Sequence, residues 1–293
     1  MPGPEAAALA PGRDAADWRA AWLLPPLLVV GAIFFYPLAL IIRQAFTDSD
    51  GQASVAAILS VVRSGFFARA VLNTLEIALA ATAGCLALGF VFALVLAFIP
   101  FPGSRLVSRL IDSVISLPTF LIALAFTFIY GSAGMLNGVL LGAFPFERPP
   151  VDFLYSAWGV ILAEVTVYTP FVMRPLIAAF SLLDRAQIEV AASLGARPAR
   201  IIRQIILPAG LPALLAGGSL CLLLTVNEFG IVLFIGAKGV ITLPLLIYDK
   251  AIQESDYSAA CAIALLNILL SIGLFGLYRF VVAKLGGRSA GVV

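Results

Sequence analysis

The chain has 293 residues, of which 62% are hydrophobic and 12% charged, with a formal charge of +2 and no histidine. A soluble domain carries about 25% charged residues, so the composition excludes one and points to a single membrane bundle of several spans. The small net charge gives no electrostatic footprint for nucleic acid, and the missing histidine removes any serine or cysteine triad and the commonest metal ligand.

Residues 1–19 form an alanine- and proline-rich tail. The apolar run that follows is too long for a signal h-region and lacks a cleavage pattern, so it is expected to stay as a first span over 20–42. A membrane helix needs roughly 20 apolar residues, and five further runs meet that need. They predict spans at 77–99, 111–131, 156–180, 211–236 and 257–278, with a C-terminal tail over 285–293. The stretch from Phe46 to Asn73 is amphipathic at best and is expected at the outer surface. Pro100-Phe101-Pro102-Gly103 closes the second span, and Gly131-Ser132-Ala133-Gly134 starts an apolar external loop. Pro118 and Pro170 are expected to kink spans three and four. Cys85, Cys221 and Cys261 lie in apolar runs without CxxC spacing, which suits packing better than disulfides or metal.

Six spans put both termini on one side. That side, with the second and fourth loops and counting Arg174 in the adjoining half of span four, holds 12 of the 18 Lys and Arg residues, so the positive-inside rule makes it cytoplasmic. Arg43, Arg63 and Arg69 on the other side run against the rule.

The fourth loop, 184–208, is the most informative segment. Asp184 and Gln187 have capping-box spacing, Gly195 supplies a left-handed stop, and Pro198 suits the first turn of a second helix. Between them lies a short helix with a small apolar tip, Val190, Ala191, Ala192, Gly195 and Ala196, beside one carboxylate, Glu189. The second helix sets Ile201, Ile202, Ile205 and Ile206 on one face, and Leu207-Pro208 is expected to break it before span five. Such a hairpin suits docking into another protein's groove. The bland reading is an amphipathic loop that snorkels its arginines to the lipid surface.

Four polar groups fall in or beside the apolar runs: Glu76, Glu164, Asn227 and Glu228. A carboxylate in a span costs several kcal/mol unless paired, protonated or wet. Glu164, Asn227 and Glu228 are therefore candidates to line a translocation path, with a helix–helix hydrogen bond as the structural alternative. Glu76 fits a structural role. Met135, Tyr155 and Trp158 fit interfacial anchors.

The fourth loop resembles that of the permease subunits of binding-protein-dependent ABC importers. Their loop signature is Glu-Ala-Ala, three residues, Gly and, after a gap, Ile-x-Leu-Pro; here it is Glu189-Val190-Ala191, Gly195 and Ile205-Ile206-Leu207-Pro208, with Val190 the one departure. The flanks Tyr168-Thr-Pro-Phe-Val-Met-Arg174 and Phe67-Ala-Arg-Ala-Val-Leu-Asn-Thr74 agree, and the likeness covers about 67–278. The resemblance implies an all-α polytopic fold, the six-helix type I importer transmembrane domain with a cytoplasmic coupling helix, in a bacterial inner membrane. It implies that Glu189, Ala191, Ala192, Gly195, Ala196, Leu207 and Pro208 serve coupling to a separate ATPase. It also implies as partners two ATPase subunits, a second permease subunit (the same chain or a relative) and a periplasmic binding protein.

No Gly-x-x-x-x-Gly-Lys-Ser/Thr phosphate loop occurs in the sequence. The chain is expected to be no enzyme and to hold no cofactor, ATP and Mg being bound by the partner. The run Lys238-Gly-Val-Ile-Thr-Leu-Pro244, with Asp256-Tyr-Ser-Ala-Ala-Cys-Ala-Ile-Ala264, resembles permeases for 2-aminoethylphosphonate. Iron, sulfate or molybdate, thiamine and polyamine are the alternative cargoes within the same branch. A gradient-driven secondary transporter would be expected to show an internal repeat, and none is visible.

Overall fold

The computed structural model describes residues 22–47 and 52–286; the tail over 1–19 and residues 287–293 lie outside the described residues. Among those described, one isolated bridge from Thr47 to Ala53 is the only β feature. Among the described residues, six helical segments are long and apolar enough to cross a membrane, one of them the broken pair over 119–143.

Helix α1, Leu24–Ala45, starts on the pair Pro25-Pro26, whose missing N–H groups cost nothing in a first turn. A short α2, Ala56–Arg63, leads to the 34-residue α3, Gly65–Phe98, which is capped by the Ser64 hydroxyl accepting from the Phe66 N–H at 3.2 Å. At 1.5 Å per residue α3 is about 51 Å long, well beyond the roughly 30 Å of hydrocarbon. Its first nine residues belong to the stretch expected from sequence at the outer surface, and they are continuous with the span. This end of α3 holds a distant loop: the Asn73 amide donates to Ile241 O at 3.0 Å, and the Leu243 N–H donates to the Thr74 hydroxyl at 2.9 Å.

The third predicted span, 111–131, is not one helix. Helix α4, Ser104–Ile115, is amphipathic, with Arg105, Arg109 and Asp112 on one face and Leu106, Val107 and Leu110 on the other. Pro118 then begins a new helix α5, Thr119–Tyr130, followed by α6, Met135–Ala143. Pro118 therefore marks a break where a kink was expected, because the residue before a proline avoids the helical region and the ring ends the ladder. The apolar segment after Gly134, expected as loop, forms α6. Its Asn137, fully buried, ties the following loop: the amide donates to Gly131 O at 2.9 Å and to Val151 O at 2.8 Å, and the Asn137 Oδ1 accepts from the Val151 N–H at 3.0 Å.

Helix α7, Ala157–Ser181, is the axis of the bundle. Two thirds of its most apolar window (67%) is buried inside the protein, against 33% or less for the other five spans. It passes through Pro170 and Pro175 and remains one helix. Helix α8, Arg185–Ser193, follows. Then α9, Pro198–Ile201, runs through a π-helical turn, Ile202–Ile206, into α10, Leu207–Val226. The break expected at Leu207-Pro208 is absent for a physical reason. The Leu207 N–H bonds to Ile202 O, five residues back; widening the turn gives the Pro208 ring room that a normal α-turn denies it.

The fifth predicted span, 211–236, ends early. Helix α10 stops at Val226, Asn227 and Glu228 occupy the break, and a short α11, Gly230–Ile235, follows. Helix α12, Leu243–Tyr248, a second π-helical turn, Asp249–Gln253, and α13, Tyr257–Gly286, complete the described residues. Helices α3, α7 and α10 pack mutually, α13 lies on α10, and α1 packs against α13.

Lipid tails are as apolar as leucine, so membrane helices associate through close packing. Val172 of α7 shows how close. A Cβ at Gly89 of α3 would come within 2.8 Å of the Val172 side chain, and one at Gly217 of α10 within 2.9 Å of the Val172 Cα. Gly217 faces backbone, which cannot yield by rotating. Gly217→Ala is expected to destabilise the bundle by about 1–3 kcal/mol through overpacking, read as a lower melting temperature in detergent. Gly138→Ala in α6, where a Cβ would meet nothing within 4 Å, should leave the melt unchanged or raise it slightly.

Candidate functional site

The fourth loop folds as a closed hairpin. The Asp184 carboxylate accepts from the Ala186 N–H at 3.0 Å and caps α8; among the described hydrogen bonds, the reciprocal Gln187 half of the capping box is absent. At the far end Gly195 has φ +81°. The Gly195 N–H donates to Ala192 O at 2.9 Å and the Ala196 N–H to Ala191 O at 3.0 Å, the paired bonds of a Schellman stop.

The helix so bounded has two faces. Ile188 and Ala191, with Leu183 and Ala196 at its flanks, pack against the core of the bundle. Glu189, Val190, Ala192, Leu194 and Gly195 face outward. Leu182 is 87% and Leu194 82% exposed. Ala191 and Ala196, expected at an apolar tip, are thus on the inner face, because a helical face repeats every three to four residues. The outward apolar residues are Leu182, Val190 and Leu194. Leu207 is half-buried and Pro208 exposed. Glu189 forms no ion pair among the described residues.

About 15 Å above the Arg174 level, by helical rise, α7 carries a second set of polar groups. Glu164 is 1% exposed, and neither of its carboxylate oxygens has a hydrogen-bond partner. One turn on, the Tyr168 hydroxyl donates to Glu228, whose other oxygen accepts from the Ile231 N–H at 2.8 Å. Glu228 is therefore the cap of α11 as well as a tie to α7. Asn227 is exposed and bridges to α13: its Oδ1 accepts from Asn267 at 3.1 Å and its amide meets Ser271 at 3.4 Å. The structure thus brings Glu164, Tyr168 and Glu228 together and sets Asn227 on a different face. Sequence reading missed Tyr168, although its spacing of four from Glu164 puts both on one helix face.

Nearer the hairpin, Arg174 pairs with Asp112 of α4 and donates to Ser108 Oγ at 3.0 Å. At the opposite end, Lys250 pairs with Glu254 at 2.5 Å beside a cavity of about 430 Å³ between the start of α3 and the segment 246–263. Partial burial and the nearby Glu254 push the Asp249 carboxyl there above its usual range. Glu76 is exposed on α3; Met135 and Trp158 are largely exposed, and Tyr155 is half-buried.

Six spans built outward from the α3–α7–α10 core, with a capped hairpin between the fourth and fifth, have the architecture of a permease-type membrane subunit. The family of binding-protein-dependent transport system inner membrane components matches residues 87–287, and the chain belongs to it, a multi-pass protein of the inner membrane. Among curated relatives, the Salmonella typhimurium protein provisionally named 2-aminoethylphosphonate transport system permease protein PhnU is 63% identical over 268 residues, 92% of this chain and 94% of its own. The sulfate transport system permease protein CysT of Synechococcus elongatus is 30% identical over 87% of both chains. In fold, a bacterial ABC transporter that imports the acidic polysaccharide alginate superposes with a TM-score of 0.80 at 18% identity, covering 92% of this chain and 96% of that one. The MetNI methionine ABC transporter gives 0.55 at 20%, over 76% and 95%.

Tyr168→Phe removes the side-chain donor to a buried carboxylate. It is expected to cost about 1–3 kcal/mol, seen as a lower melting temperature of the purified chain. Gly195→Ala forces a side chain into a left-handed position and should cost about 1–2 kcal/mol, with faster proteolysis confined to the 184–208 loop.

Proposed function

We propose that the chain is the membrane subunit of an ATP-driven importer for 2-aminoethylphosphonate, with α8 as the element seated on a separate ATPase. The outward face of α8 carries the reading: Glu189 unpaired, with Leu182, Val190 and Leu194 exposed beside it. Apolar side chains around one charge suit a protein groove better than water. Glu189, Ala192 and Gly195 meet the ATPase directly, while Ala191 and Ala196 seat α8 on the bundle, and Leu207 and Pro208 set the angle at which α10 leaves it. The termini and this loop are cytoplasmic by the distribution of Lys and Arg. ATP and Mg belong to the ATPase, of which two copies bind two membrane subunits; a periplasmic binding protein delivers the solute.

The cargo is supported by the 63% identity to the relative named for 2-aminoethylphosphonate. The sulfate relatives share a tetrahedral oxyanion as cargo. Within the bundle, Glu164 is the group that meets the cargo's ammonium when the helices part, because it is the carboxylate without a partner in the packing described. Glu228 has its bonds already and holds α7 to α11; Asn227 lines the path at the α10–α13 side.

Glu189→Arg tests the coupling role. Membrane insertion should stay normal while ATPase co-purification and 2-aminoethylphosphonate uptake fall at least about tenfold, as for reversal of a charge facing a complementary surface. Wild-type association and uptake would reject the assignment. Glu164→Gln should leave ATPase association intact and lower uptake by about tenfold or more; undiminished transport at matched expression would remove Glu164 from the path.

A further inference from the structure

Helix α4 is amphipathic, yet half of its apolar face has nothing packed on it. Ile111 and Val114 lie against the core, while Leu106 and Leu110 are 62% and 59% exposed. On the adjoining polar face a cavity of about 320 Å³ opens between α4 and α7, walled by Ser104, Arg105, Ser108, Arg109, Asp112 and Arg174.

The charges in this cavity do not balance. Arg174 is engaged by Asp112, and its guanidinium also donates to Ser108 O at 3.2 Å and Ser108 Oγ at 3.0 Å. Those bonds fix the wall. They leave Arg105 and Arg109, one turn apart on the same face, with no ion pair among the described residues. Two unpaired guanidinium groups beside serine hydroxyls match the oxygens of a phosphate or phosphonate, which arginine binds in a forked geometry.

We propose that this α4–α7 cavity is an anion site for a phosphate- or phosphonate-type group, held by Arg105 and Arg109. The exposed Leu106 and Leu110 edge favours a lipid headgroup as the source. A helix with an apolar edge and a basic edge lies in the membrane interface, and basic pockets between helices on the cytoplasmic side bind anionic headgroups. The edge would rest among acyl chains while the arginines reach back to the headgroup phosphate. The alternative source of the same chemistry is free phosphonate at the cytoplasmic end of the path. Placement in the cytoplasmic leaflet rests on the orientation proposed above; binding itself does not.

The test uses the full chain in nanodiscs of neutral lipid, titrated separately with short-chain phosphatidylglycerol and with methylphosphonate, for wild type and Arg105→Gln/Arg109→Gln. The expected result is phosphatidylglycerol binding that weakens by about thirtyfold in the double variant, with Arg105→Lys/Arg109→Lys, which keeps the charge and loses the fork, intermediate between that variant and wild type. Methylphosphonate binding with the same arginine dependence would support the site and assign it to the soluble anion. Both arginines are exposed, and an unchanged melting temperature confirms that the variants fold. If neither probe binds in an arginine-dependent way, the proposal fails. It also fails if anion binding is unchanged while ATPase association drops, since the arginines would then serve a protein contact.

Discussion

The close approach of three helices at Val172 is the constraint on which the rest of the structure depends. With no water to expel from between spans, association rests on dispersion, and dispersion falls steeply with a gap of even half an ångström. Gly89 and Gly217 let α3 and α10 come within contact distance of α7 from two sides. Val172, Met173 and Leu176, all fully buried, fill the space that remains. The register of α7 is thereby fixed, and the candidate site residues are placed relative to it. Glu164 and Tyr168 lie above the contact, Arg174 just below it, and the α8 hairpin hangs from its lower end.

Much of this was legible where the causes are local. Asp184 and Gly195 bound α8 because a cap and a left-handed residue act within a few positions, and both do so here. Helix ends inside apolar runs were less legible, because hydropathy reports the solvent and is silent on the backbone. Pro118 begins a helix and Pro208 is absorbed by a π-turn, yet both sit in similar apolar sequence. Glu228 read as a charge within a span, whereas it caps a short helix after α10 has ended. The role of Asn137 is not legible in sequence because its partners, Gly131 O and Val151, are backbone groups that no side-chain pattern announces. The inward turn of Ala191 followed from helical periodicity and could have been read in advance.

The polar bonds are not spread evenly through the bundle. Several gather where helices end: Glu228 at the α10–α11 break, Asn73 and Thr74 on the 239–243 loop, and Asn137 on the loop after α6; two others tie helix to helix along their length, Arg174 to Ser108 of α4 and the Tyr278 hydroxyl to Leu215 O at 2.9 Å. Between these places the helix contacts are largely apolar and small. Such an arrangement separates two mechanical properties. Away from the interlocked crossing at Val172, apolar contacts can slide by small steps, whereas a hydrogen bond to a buried carboxylate either holds or breaks. Under the coupling role proposed for α8, a push on its outer face reaches α7 through the short connection at Leu182 and Leu183, whose N–H groups continue the α7 ladder to Ala179 and Phe180. The first discrete bond that such a displacement meets is Arg174 with Asp112, and the next is Tyr168 with Glu228. Under that role, discrete ties on either side of the Val172 crossing would turn a small motion at one end of α7 into a switch between packings at the other.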